Sequence, residues 1–107
     1  METKDTNDIE DLFKEYQLSL PAKLKEIENQ WISFQHDMNE QTFTEFHRKI
    51  HSLCGSAGLY GVESVYQAAN ILQNYLIKIP APFQITNEQK MEIEQLINDL
   101  MVSQTKI

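Results

Sequence analysis

Six apolar residues, Leu20, Leu24, Ile27, Trp31, Phe34 and Met38, follow one another at steps of four, three, four, three and four. That rhythm matches the 3.6-residue helical period, so all six side chains share one stripe of a helix. On a strand the same residues would scatter over both faces. The spacing predicts a helix over about 21–38, with Trp31 as an anchor in the core. A stripe this continuous has to be buried against something, and in a chain with three glycines and three prolines the partners are other helices.

The remaining elements follow from period and punctuation. Ile9, Leu12, Phe13 and Tyr16 mark one face of a short helix over about 8–19, with Asn7 or Asp8 as its N-cap. Residues 1–7 are polar and are expected to fray. Pro21 is expected to divide this helix from the next, at whose first turn a proline is tolerated. His36 to Gln41 form a polar connection, and Thr42 with Glu45 forms a capping box that opens a central helix. Gly61 stands where a C-capping glycine would close it. A further helix is predicted over about 62–79, with Val62, Val65, Ala69, Leu72 and Leu76 facing the core. The prolines of residues 80–85 break it, and Thr86 with Gln89 caps a last helix over about 87–103. Short connections set successive helices antiparallel. The expected fold is all-α: an up-down antiparallel four-helix bundle, with the short N-terminal helix closing one end, in a single domain spanning 1–107.

The central helix, Phe43 to Gly61, has two contrasting faces. Phe43, Phe46, Ile50, Leu53, Ala57 and Tyr60 form its apolar stripe. Thr44, His47, His51, Cys54, Gly55 and Gly58 form the other face, with His51 in the middle. A glycine inside a helix costs about 1 kcal/mol relative to alanine. Gly55 and Gly58 both lie away from the apolar stripe, which suggests that something approaches that face closely. Packing against a neighbouring helix is the alternative.

The segment His51-Ser52-Leu53-Cys54-Gly55-Ser56-Ala57 resembles the His-x-Leu-Lys-Gly-x-Ala motif of histidine-containing phosphotransfer (HPt) domains. The resemblance covers about residues 8–79; the last helix agrees only in pattern. It implies that His51 is the phosphoacceptor, modified on Nε2, with Nδ1 facing a supporting group. It also implies that Gly55 leaves room for a docking receiver domain. Such families commonly carry a glutamine or another polar residue on the neighbouring helix, and Gln73 stands at the matching offset, at the edge of its own apolar stripe. An ordinary boundary glutamine is the competing reading. The expected partners are response-regulator receiver domains and a hybrid sensor histidine kinase. No cofactor is expected on this chain, the Mg²⁺ belonging to the receiver's acidic pocket. The chain departs from the motif at Cys54, where the family usually has a basic residue. Arg48 lies about 60° from His51 around the helix and can stand in for that residue; Lys49 lies about 160° away and cannot.

Charge and composition narrow the alternatives. The net charge is −7, which argues against nucleic-acid binding. No apolar run approaches the length of a membrane span. The opening residues are polar and acidic rather than signal-like, and one cysteine cannot form an internal disulfide, so a cytoplasmic setting is expected. Within this acidic chain, His47, Arg48, Lys49 and His51 form the most basic window, either as a solvated helix face or as an attractor of phosphate. There is no Gly-rich phosphate loop, Walker-type lysine or Asp-Phe-Gly segment, so no intrinsic kinase activity is expected. Two further readings remain. The chain is a helical module that binds receiver domains or a sensor kinase without being phosphorylated, or His47, His51 and Cys54 hold a metal ion, a set short of a fourth ligand. The expected site is therefore His51, supported by Gln73 and Arg48, with His47, Cys54, Gly55 and Gly58 as the docking surface and no bound metal.

Overall fold

A computed structural model describes residues 2–80 and 84–106, with side chains from Ile9 onward. Among these residues the chain is all-helical. Four α-helices follow in order: α1 (Glu2–His36), α2 (Glu40–Leu59), α3 (Glu63–Ile77) and α4 (Asn87–Ser103), followed by a 3₁₀ turn at Gln104–Lys106. α2 packs against α1 and α3, α3 against α4, and α4 touches α1. No helix among the described residues is long and apolar enough to cross a membrane.

The expected division at Pro21 does not occur, so there is no separate short N-terminal helix. α1 runs through Pro21 without a break. A proline inside a helix removes one N–H and crowds the carbonyl four residues back. Pro21 and Gln17 are both exposed, which leaves that carbonyl open to water. Tyr16, Leu20, Leu24 and Ile27 are all buried, so the core grips the helix on both sides of the proline. Asn7 and Asp8 do not cap a helix, because α1 begins at Glu2 and runs through both, and residues 2–7, expected to fray, lie within it; the side chains of residues 1–8 lie outside the described residues. The stripe of this segment is not a lid on the core either: Ile9, Leu12 and Phe13 are 55%, 51% and 43% exposed, and only Tyr16 is buried. α1 outlasts α2 at this end, which leaves Ile9 and Leu12 uncovered and Phe13 edge-on against Tyr60, 5.9 Å between ring centres.

The rest of the long stripe behaves as read. Leu20, Leu24, Ile27, Trp31 and Phe34 are buried; Met38 lies beyond the end of α1 and is exposed. Trp31 sits in an aromatic cluster, 5.4 Å from the Phe46 ring and 5.9 Å from Phe34, and its Nε1 donates to Glu94 on α4 at 3.4 Å. Contacts between α1 and α2 run in opposite order along the two helices: Phe34 meets Phe43, Lys49 meets Glu26, and Tyr16 meets Ser56 and Tyr60.

The helix ends show where local chemistry decides. α2 begins earlier than expected, because Asn39 rather than Thr42 is the cap. Asn39 accepts from the Thr42 N–H, and the Thr42 hydroxyl accepts from the Asn39 N–H, which completes the box three residues earlier than Thr42 with Glu45 would. The Thr86–Gln89 box opens α4 as predicted. The predicted break at 80–85 includes residues 81–83, outside the described residues. At the end of α2, Gly61 has φ +70°, its N–H bonds the Gly58 carbonyl, and the Val62 N–H bonds the Ala57 carbonyl. This is the Schellman closure, with Ala57 and Val62 both buried beneath it.

Left-handed backbone costs an L-residue about 1–2 kcal/mol. Gly61→Ala is therefore expected to lower unfolding free energy by about that amount in a urea titration. Gly55→Ala, in open space on the helix, is expected to be neutral or stabilising by comparison.

Candidate functional site

The burial of α2 orients its polar side. Phe46, Ile50, Leu53 and Ala57 turn into the core, with Phe43 and Tyr60 packed at its margins. His51 follows Ile50 by one residue, about 100° around the helix, and is exposed. On α3, Ala69, Leu72 and Leu76 are buried, and Gln73 beside them is half-buried at the seam with α2. The seam brings His51 Nδ1 to 3.2 Å from Gln73 Oε1. A carbonyl oxygen only accepts, so Nδ1 carries the hydrogen in this pair. In the neutral ring Nε2 then keeps a free lone pair. The arrangement is an exposed nitrogen nucleophile whose tautomer is set by an amide on the next helix.

The two glycines of this face have different roles. A Cβ built at Gly55 would meet nothing within 4 Å, so the backbone one turn beyond His51 is bare. A Cβ at Gly58 would lie 3.2 Å from the Tyr66 ring. Gly58 thus admits a neighbouring α3 side chain, which is the packing alternative, although its backbone is also exposed.

Cys54 is not part of the exposed face. It is 7% exposed, with Sγ 4.0 Å from Asn70 Oδ1 across the seam, and burial pushes its thiol pKa up. Position 54 lies about 40° from Ile50 and about 60° from Ala57 on the wheel, close enough to the apolar stripe for the α3 packing to cover it. The sequence reading that put it on the docking surface is corrected accordingly. His47 is half-buried, its ring 6.3 Å from Phe43, and its Nε2 is buried with no hydrogen-bond partner. Burial, and secondarily the charge of His51, hold its pKa below the ordinary 6.5.

Of the basic window, therefore, His47 is uncharged at neutral pH. Lys49 is drawn toward α1 by its 3.0 Å pair with Glu26. Arg48 is exposed, about 60° from His51 around the helix, and has no ion pair or hydrogen bond among the described residues; it borders an open groove with Glu40, Gln41, Thr44 and Glu45. Among the described residues no cluster of three His, Cys, Asp or Glu side chains has the geometry to hold a metal ion, and His47, His51 and Cys54 are not gathered into one.

Leu59 has no role in the sequence reading, yet it is 79% exposed, four residues beyond Gly55 and eight beyond His51. That i, i+4, i+8 series was the available signal. The Tyr16 hydroxyl to Ser56 hydroxyl bond, 2.7 Å, had no sequence signal, because it joins residues forty apart. A groove of about 590 Å³ lies elsewhere, at the α2–α3 turn, lined by Phe13, Tyr60, Val62 and Lys106 among others. His51 does not line it. A nucleophile on an open helix face suits a macromolecular partner that brings its own pocket, whereas an enclosed small substrate needs a cleft.

His47 has a consequence for stability. Its folded pKa lies below its unfolded value, so the unfolded chain binds the extra proton as pH drops. Its contribution is whole above about pH 6.5 and is lost as pH falls through the folded value. Thermal midpoints are expected to decline from pH 7.5 to 5.5 in the parent protein, and less steeply in His47→Gln. No family model matches the chain, nor does any curated protein or solved structure, so the side chains themselves carry the functional reading.

Proposed function

We propose that this chain is a phosphorelay intermediate of the HPt type, passing a phosphoryl group between receiver-domain aspartates through His51. In this reading the four helices form an up-down antiparallel bundle that holds the histidine at mid-height. The observation that carries the reading is the exposed His51 ring, with Nδ1 3.2 Å from Gln73 Oε1 and the bare backbone of Gly55 beside it. The motif resemblance and the exposed Arg48 support it.

The chemistry follows from the ring. The Nε2 lone pair attacks the phosphorus of an aspartyl phosphate, the N–P bond forms, and the P–O bond breaks with its electron pair returning to the carboxylate. Nδ1 keeps its proton and its bond to Gln73, so the product is an imidazolium carrying a phosphoryl dianion. A second receiver's carboxylate reverses the step. Mg²⁺ in the receiver's acidic pocket offsets the charge on the phosphoryl oxygens. The chain supplies position and a nucleophile, has no kinase activity of its own, and acts in the cytoplasm with receiver domains and a hybrid sensor histidine kinase.

Buried Cys54 favours a second reading, because it leaves no cation three residues after His51. In that reading the chain is a helical module that binds receiver domains or a kinase without being phosphorylated.

A phosphorylated receiver domain is expected to label the parent protein, giving an acid-labile, base-stable adduct. His51→Gln and His51→Ala should abolish the label. Equal labelling of those variants would sink the assignment of His51. Receiver binding by an unlabelled parent, undiminished in His51→Ala, would establish the second reading. Gly55→Arg is expected to block transfer with the helical circular dichroism unchanged, since its side chain enters open space.

A further inference from the structure

The imidazole one turn before His51 is the unexplained group of this face. His47 and His51 are four residues apart on α2, so their Cβ atoms lie about 6 Å apart on the same side of the helix. His47 Nε2 is buried and without a partner among the described residues. A buried nitrogen with no bond costs free energy, and in a native structure it calls for a reason. The position that would usually supply a cation to this site is occupied by a buried, uncharged thiol. Lys49 is engaged with Glu26.

We propose that His47 is the proton-coupled partner of His51: uncharged beside the free ring, it becomes the cation that faces the phosphoryl group once His51 carries one. This rests on the phosphohistidine reading given above. A phosphoryl group on Nε2 of His51 brings a dianion and three strong acceptor oxygens to within one helical turn. The field of that dianion, one turn away, opposes the burial that keeps the proton off the His47 ring. The environment is arranged for such a response. Partial burial opposes the charge when nothing offsets it, and among the described residues the charge of His51 opposes it further. Arg48, exposed on the adjoining face, is cationic in both states and does not report the change. On α3, Gln73 is neutral and is bonded to Nδ1 of His51; on α1, Glu26 is taken up by Lys49. The site thereby gains a positive charge only when it carries the phosphoryl group.

The test needs no receiver domain. Potassium phosphoramidate transfers its phosphoryl group to an exposed imidazole: the N–P bond to Nε2 forms, the reagent's P–N bond breaks, and its electron pair leaves on ammonia. Two-dimensional proton–nitrogen NMR then follows the His47 ring through pH in the free and phosphorylated protein. The expected result is a His47 midpoint that moves to higher pH on phosphorylation, and no such change in reagent-treated His51→Gln. In parallel, the His51 adduct should hydrolyse faster in His47→Gln than in the parent near pH 6.5, with the parent lifetime restored by His47→Arg. A His47 midpoint that stays still or falls on phosphorylation, or an adduct lifetime unchanged in His47→Gln, overturns the proposal. Failure of receiver domains to label His51, with the His47 shift present, would refute the relay alone.

Discussion

The angle at which α2 is held about its own axis decides what this molecule presents to its surroundings. That angle is clamped at both ends. At one end, Phe46 packs on Trp31 and Phe43 on Phe34. At the other, Tyr16 stacks on Tyr60 at 4.4 Å and bonds Ser56. Between the clamps, Ile50, Leu53 and Ala57 are buried. Burial of each large apolar side chain contributes about 1.5–3 kcal/mol, so no modest gain on the other face would turn the helix. The position of His51 outside the core is a by-product of where those side chains must go.

The seam with α3 adds what the clamps do not. Ala57, Ala69 and the Gly58–Tyr66 contact let the two helices approach closely, and the approach carries Gln73 to the imidazole. The bond itself is exposed to solvent, so its position rests on the packing of the two helices rather than on exclusion of water. Cys54 and Asn70 occupy the next level of the same seam, where the thiol serves as a small filler with its pKa raised. The local charge is sparse in consequence: of four basic residues within five positions, burial silences one and an ion pair across to α1 engages another.

Most of the fold was legible because it depends on period. The stripes at 20–34, 46–57, 65–76 and 93–100 named the core before any coordinates, and Gln73 could be placed beside His51 by offset alone. What was not legible depended on context. Pro21 reads as a stop, but the buried residues on either side of it outweigh one missing hydrogen bond, and its carbonyl partner faces water. Asn39 and Thr42 compete for the same cap, and only the path of the chain after His36 decides between them. Cys54 sits at the border between the two faces of the wheel, where the neighbouring helix rather than the angle settles exposure. Ile9 and Leu12 satisfy the period of a core stripe, yet α2 ends short of them, and Phe13 meets the edge of Tyr60 while staying 43% exposed.

The tight closure at Gly61 and Val62 also works as a gauge between two helices. With so little chain between Leu59 and Glu63, α3 has no slack to slide or spin against its predecessor. One inserted residue carried into α3 would turn it by about 100° and shift it about 1.5 Å along its axis. The amide now meeting the imidazole would swing away and another side chain would arrive in its place. The spacing of the imidazole and the amide is thus stored ten residues downstream of one partner and eleven upstream of the other, in a hinge-free corner with no chemistry of its own.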